Sequence, residues 1–354
     1  MYDQNLALSF VTQYKIIYIY IIEAMDNDTN STISLDKELR DMMNTNEYTY
    51  IKTAVIGVII TLNVIMNSLV IAVIARYPQL REDRTTLFMF SLSVSDLAAG
   101  CTFMPISAVL CSRATPEVAY MVGLLPKVHA FTVWWFGFNS MYSLCWLTIS
   151  KAIVILNPFK VERLLSHKRC YIIIGMNWMI GGLVAVGVFK MDIPWDIARC
   201  TYGKSNEYGG MEGYLLHFVF GVALPVSLIV YGTLRIFIVV LRTHRQIVAL
   251  ENSVAIGDNS IRKTSFVTVH AIQSSRNVLV ICIVSLLLNT PLLAYGVLDT
   301  MTGTPVLHGF SFISAWLFQS NTFVNSLLYL VLFKSVRKRV VHMCCAILVS
   351  THER

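Results

Sequence analysis

The chain has 354 residues, of which 55% are hydrophobic and only 14% charged, with a mean hydropathy of +0.61. A water-facing globular surface normally draws on about 25% charged residues, so a soluble enzyme, a disordered tail and a nucleic-acid-binding module are all poor matches, and a membrane is indicated. The formal net charge of +7 has to be read by position rather than as a sum.

A hydrocarbon core of about 30 Å needs roughly 20 mostly apolar helical residues to cross it. Seven runs meet that need, at residues 53–75, 87–110, 129–156, 171–189, 215–240, 278–298 and 310–333. They are continuous rather than alternating over about 10 residues, which favours helices over a β-barrel. The expected fold is an all-α integral membrane bundle of seven transmembrane helices with a short amphipathic eighth helix. Pro105, Pro225 and Pro291 fall inside spans, where neighbouring helices and polar side chains satisfy the freed carbonyls. Asp96, in the second span, is the single deep charge. The chain divides into an extracellular N-terminal segment at 1–52, a membrane domain at 53–333 and a cytoplasmic helix and tail at 334–354.

With the N-terminus outside, nineteen of the 28 basic residues fall on the cytoplasmic side and nine outside, as the positive-inside rule requires. The expectation is a multi-pass plasma-membrane protein with an extracellular N-terminus and a cytoplasmic C-terminus. Asn27-Asp28-Thr29 and Asn30-Ser31-Thr32 are glycosylation acceptors by sequence, with chance sequons as the alternative. The apolar run at 16–22 has no small-residue cleavage site after it, so it does not read as a signal peptide. Met25 is an alternative start.

Motifs in span order narrow the reading. The first span carries Asn67-Ser68-Leu69-Val70 and the second Ser91-Leu92-Ser93-Val94-Ser95-Asp96-Leu97. Trp178 stands in the fourth, Pro225 in the fifth and Pro291 in the sixth. Asn321 and Asn325-Ser326-Leu327-Leu328-Tyr329 close the seventh. In this order the motifs resemble those of a rhodopsin-like (class A) G-protein-coupled receptor, in a divergent form. The resemblance implies a receptor that transmits an extracellular ligand signal to a heterotrimeric G protein by helix rearrangement, and no enzyme.

An aspartate in mid-membrane costs at least ~2.5 kcal/mol, so Asp96 should face the bundle interior and have partners. Asn67, Ser140, Asn321 and Asn325 lie at comparable depth on other helices. The resemblance implies that Asp96 and Ser140 help hold a sodium ion, with Tyr329 in the same activation network. A metal-free knot of hydrogen bonds is the alternative, and no other cofactor is expected.

The departures from the family pattern carry their own expectations. The third span ends in Ser150-Lys151-Ala152 instead of Asp-Arg-Tyr. Lys151 keeps the positive charge without the neighbouring acid, and lysine is a flexible point charge rather than a planar fork. A latch built on that pair is expected to be absent or altered, with raised basal activity. Asn289 replaces the sixth-span tryptophan, and Ser326 replaces the seventh-span proline, which should soften or remove a kink. The resemblance places Lys151 and Thr233 on the G-protein-facing side.

Cys101, Cys145, Cys170 and Cys282 read as buried small hydrophobes. The family's usual bridge starts at the top of the third helix, but Pro126 holds that place here. Cys111 is therefore expected to pair with Cys200 in the oxidising exterior, two unpaired thiols being the alternative. Lys334–Val341 is basic and amphipathic, fit for the anionic lipids of the inner leaflet. Cys344 and Cys345 follow as palmitoylation candidates or as unmodified thiols.

The outer halves of the spans are expected to form the pocket for an extracellular ligand, small molecule or peptide. Val133 stands where monoamine receptors carry an aspartate, and Gln319 where opsins carry the retinal lysine. Trp134, Gly137, Asn289, Tyr295 and Trp316 complete the candidates, each of which also suits plain helix packing. His129, His217 and His308 are expected at the mouth, with Glu117, Glu212 and Asp299 as a solvated rim or a lure for cations. Two other functions compete: a constitutive or non-signalling partner of the same fold, and a transporter. One deep carboxylate and no visible repeat argue against the transporter.

Overall fold

Long apolar runs form helices because an apolar solvent leaves backbone N–H and C=O groups no partner but each other. The computed structural model of the chain describes residues 46–113, 125–156, 160–190, 195–196, 199–202, 219–253, 276–295, 298 and 308–352. Its helices are α1 (Asn46–Arg76), α2 (Arg84–Cys101), α3 (Phe103–Arg113), α4 (Leu125–Leu156), α5 (His167–Val186), α6 (Leu224–Ser253), α7 (Arg276–Tyr295), α8 (His308–Leu332) and α9 (Lys334–His352). Five stretches, in α1, α2 with α3, α5, the start of α6, and α7, are long and apolar enough to cross a membrane. The other two long helices, α4 and α8, carry polar side chains in their middles: Asn139, Ser140 and Ser143 in one, Asn321, Asn325 and Ser326 in the other.

Local chemistry sets the ends and breaks. Asp83 caps α2, its Oδ1 accepting the Thr85 N–H at 3.0 Å, and Ser166 caps α5 by accepting the Arg169 N–H; such caps satisfy donors that have no partner in the first turn. The second apolar run is split at Thr102, three residues before Pro105. Proline has no N–H for the Cys101 carbonyl and its ring crowds that oxygen. Thr102 leaves the helical region, and its hydroxyl bonds the Ala98 carbonyl at 2.6 Å. Before Pro225 the chain makes one wide π turn, Val219–Ala223, which accommodates the missing donor. By contrast α8 runs unbroken through Ser326, as expected once the proline is gone.

Burial is inverted relative to a water-soluble helix. On α5, Tyr171, Met179, Leu183 and Val186 are all more than half exposed, while Cys170, Asn177, Gly181 and Ala185 are buried on one face. The small residues let helices approach, and the polar ones find partners inside. Asn177 Nδ2 donates to Asn139 Oδ1 at 3.2 Å, and the Trp135 indole donates to the Trp178 carbonyl at 3.0 Å. The Trp178 indole in turn donates to Ser91, which sits 3.2 Å from Ser143. The core forms two clusters. Leu92, Leu144, Leu147, Val278, Ile281 and Tyr329 pack toward one end, and Ile56, Phe103, Met104, Phe136 and Trp316 toward the other.

Four features depart from the sequence reading. A two-residue antiparallel hairpin, β1 (Trp195–Asp196) with β2 (Thr201–Tyr202), interrupts the all-α pattern; at its turn Cys200 takes φ 53°. The eighth amphipathic helix is not short: α9 spans 19 residues, because nothing between Lys334 and His352 breaks a helix. Cys101 is exposed rather than buried, since the break at Thr102 follows it directly. His129, near the start of α4, does not face solvent. It is fully buried, its Nε2 lying 2.8 Å from Ser107 Oγ and its ring edge-on to Phe103.

Cys111 and Cys200 form a disulfide that ties the end of α3 to the hairpin. Cys111→Ser is expected to cost about 2–4 kcal/mol, read as earlier thermal unfolding of the purified protein; an unchanged midpoint would mean the bridge adds nothing. A β-carbon on Gly232 would stand 2.7 Å from Thr148 Cγ2. Thr148 is itself held at 2.9 Å by the Leu144 carbonyl and at 3.0 Å by Cys282. Gly232→Ala should therefore lower stability by about 1–3 kcal/mol through overpacking, and equal stability would contradict so close a contact of α4 with α6.

Candidate functional site

Asp96 is 1% exposed and, among the described residues, the only buried carboxylate. Neither of its oxygens accepts a hydrogen bond. Ser140 on α4 and Asn325 on α8 are its nearest hydrogen-bonding neighbours, though neither contact reaches full hydrogen-bond geometry. Asn325 turns its Oδ1 toward the Ser285 hydroxyl at 2.9 Å, which also lies 2.9 Å from Asn321 Oδ1. One proton serves those two acceptors in turn, and the Asn325 amide nitrogen is left without a protein partner. One turn on from Ser285, Asn289 donates to the Ser285 carbonyl at 2.6 Å.

Asn67 does not join this cluster. Its Nδ2 donates to the Asn63 carbonyl at 2.9 Å and to the Thr322 carbonyl at 3.1 Å. Its Oδ1 accepts from Ser326 at 2.6 Å, and Ser326 stands 3.2 Å from Ser93. The residue that replaces the seventh-span proline thus supplies the hydroxyl joining α8 to α1 and α2. Asn63 adds a second tie by donating to Thr322 Oγ1. Sequence reasoning missed Asn63 and Thr322; two asparagines four residues apart on an apolar helix were the available signal.

A cavity of about 30 Å³ lies at this depth, room enough for a water. Asp96, Ser140 and Asn321 line it together with Val133, Gly137 and Gln319. Phe103, Phe136 and Phe318 wall it. Hard cations take oxygen ligands. A buried carboxylate beside the Ser140 hydroxyl and the Asn321 amide fits a small cation such as sodium.

Toward the hairpin, the Trp316 indole donates to the Arg199 carbonyl at 2.9 Å, and the Arg199 guanidinium lies 5.3 Å from the centre of the Tyr295 ring. Trp316 and Tyr295 thus each hold Arg199 of the hairpin against the bundle. Trp134 fills the groove beside Gly221, where a β-carbon would meet its ring at 3.0 Å. Of the mouth residues read from the sequence, His217, Glu117, Glu212 and Asp299 lie outside the described residues.

Toward the opposite end, Lys151 is 6% exposed, and Tyr329 and Thr233 are buried, both close to Cys282. The sequence left Lys151 without an acid; the structure supplies one from another helix, Asp83 Oδ2 at 3.6 Å. The next residue, Arg84, pairs with Glu162 in the single turn Val161–Leu164. The amphipathic α9 is pinned to the end of α1, with Tyr77 Oη 3.0 Å from His342 Nδ1 and Arg339 over the Tyr77 ring at 4.9 Å. Cys345 is exposed with a free thiol. Asn27 and Asn30 lie outside the described residues, as does the Cys344 side chain.

The sequence pattern of the family described as 7 transmembrane receptor (rhodopsin family) matches residues 66–329. The chain is 24% identical over 260 residues to the D(1A) dopamine receptor of Xenopus laevis, covering 67% of this chain and 54% of that protein. It is 26% identical over 211 residues to the D(1A) dopamine receptor of Didelphis virginiana, covering 53% and 44%. Against the D(1) dopamine receptor of Carassius auratus it is 26% identical over 222 residues, 56% of each. The chain thus spans about half the length of these relatives. With a helical, apolar-faced bundle, a polar interior around Asp96 and a pattern match running from α1 into α8, this chain belongs to the rhodopsin family of seven-transmembrane receptors.

Proposed function

We propose that the chain is an agonist-operated receptor that passes a signal across the plasma membrane to a heterotrimeric G protein. The observation that carries this reading is the cavity bordered at once by Val133, Gly137 and Gln319 and by Asp96 and Ser140. A ligand resting on the outer residues stands one side chain from the polar cluster, and so biases how α2, α4 and α8 meet. It moves the balance only by binding the active arrangement more tightly than the resting one. Lys151, Thr233 and Tyr329 form the inner relay of this reading.

Seven helices cross the membrane in this proposal, α4 and α8 joining the five apolar spans as the ones that carry the polar interior. The N-terminus is outside. The distribution of basic residues supports that side, and the Cys111–Cys200 bridge suits an oxidising exterior. Glycosylation at Asn27 and Asn30 and palmitoylation at Cys344 and Cys345 belong to the same arrangement, with α9 resting on the inner leaflet.

The relatives are dopamine receptors by name, yet Val133 offers no carboxylate to a protonated amine at its place on α4. The ligand contacts proposed here are aromatic and neutral polar: Trp134, Asn289, Tyr295, Trp316 and Gln319. We extend the proposal to a sodium ion held by Asp96 and Ser140 with Asn321 in reach. When bound, the ion supplies the positive charge that neutralises Asp96 and draws α2, α4 and α8 together. A second reading, a constitutive or non-signalling partner of the same fold, is favoured by Asn289 in the place of the family's tryptophan.

Sodium at about one hundred times its dissociation constant should stabilise the purified receptor by roughly 2.7 kcal/mol. Asp96→Asn should abolish that sodium-dependent rise in unfolding temperature. A rise of equal size in the variant would sink the sodium site. The coupling itself is tested by nucleotide exchange on a panel of G proteins, with and without pooled small molecules and peptides. Ligand-dependent exchange is expected; exchange that is full without ligand, or absent under every condition, would favour the second reading.

A further inference from the structure

The end of α4 presents an ammonium with nothing on its own helix to balance it. Lys151 is 6% exposed, and a buried charge is costly unless it is paired. The residue before it, Ser150, is neutral and its hydroxyl is committed to the Leu147 carbonyl at 2.8 Å. The balancing charge comes from the cap of α2. Asp83 divides its carboxylate between two tasks: Oδ1 accepts the Thr85 N–H at 3.0 Å, and Oδ2 faces Lys151 Nζ at 3.6 Å. We propose that Asp83 is a positioning residue whose ion pair with Lys151 holds the inner end of α4 against α2 at rest.

Three features suit this pair to restraint rather than permanent bonding. The nitrogen–oxygen separation exceeds that of a tight charge-assisted hydrogen bond, so the contact is an ion pair with slack. The Asp83 side chain is 52% exposed while that of Lys151 is 8% exposed, so water competes for one partner only. Lysine's flexible stem lets the ammonium swing away once the pair opens. The neighbouring Arg84–Glu162 pair fixes the start of α2 to the turn after α4, so Glu162 already has a cation of its own. A displacement of the inner end of α4 therefore has to break the Asp83–Lys151 contact. The consequence for signalling, a check on ligand-free activity, rests on the G-protein reading above.

The test uses the full chain purified in detergent or nanodiscs. Asp83→Asn and Asp83→Ser both keep an α2 cap, because asparagine and serine accept the same N–H, and both remove the charge; Asp83→Glu keeps the charge. The first readout is the rate at which an amine-reactive acylating reagent labels Lys151, followed by mass spectrometry. The neutral variants should label roughly two- to five-fold faster, the population shift of a partly exposed ion pair, and Asp83→Glu should return toward the parent rate. Labelling that is equally slow in both neutral variants, with unchanged thermal unfolding, overturns the proposal: packing and not Asp83 then holds the lysine. The second readout is ligand-free nucleotide exchange, expected to rise by a similar factor. Exchange that is measurable in the parent and unchanged in variants with freed Lys151 overturns the restraint on activity. Exchange absent from parent and variants alike counts against the coupling reading instead, while the labelling result still decides the pair.

Discussion

A carboxylate at the centre of a bundle whose outer surface is apolar has to be matched from within, because neither solvent nor lipid reaches it. Asp96 imposes that constraint on its neighbours. Ser140, Asn321 and Asn325 gather at its depth, Ser285 turns its hydroxyl to the two asparagines, and Asp96 lines a cavity shared with Val133, Gly137 and Gln319. A side chain that costs energy wherever it is placed persists here inside a cluster that two ends of the molecule share.

The same logic extends along the bundle. Polar side chains in α1, α2 and α8 form a second network around Asn67, separate from Asp96, in which Ser326 substitutes a side-chain hydroxyl for a proline's bend. The helix keeps its straight hydrogen-bond ladder and gains a specific tie to α1. Asn139 and Asn177 do comparable work between α4 and α5. In an apolar surrounding such bonds specify which helix faces meet, a role that apolar packing alone performs poorly when lipid is as apolar as the side chains.

The two ends of the molecule are built differently. One end is closed covalently, with Cys111–Cys200 holding the hairpin and Arg199 resting on Tyr295. The opposite end is held by charge and ring contacts: Asp83 with Lys151, Arg84 with Glu162, Tyr77 with His342 and Arg339.

Much of this was legible in the chain alone. Hydropathy located the helices, because a span length is set by membrane thickness and needs no tertiary contact. The cost of burying one aspartate marked Asp96, and the resemblance supplied Cys111 and Cys200 as partners once Pro126 removed the usual one. The tertiary structure alone decided the rest. That Lys151 finds its acid in Asp83, 68 positions away along the chain, that Asn67 serves α8 rather than Asp96, that His129 points at Ser107 and that Cys101 faces outward all depend on how each helix is rotated about its axis and which neighbour it meets. A one-dimensional pattern records how apolar a segment is. It does not record the rotation that turns a given polar atom toward its partner.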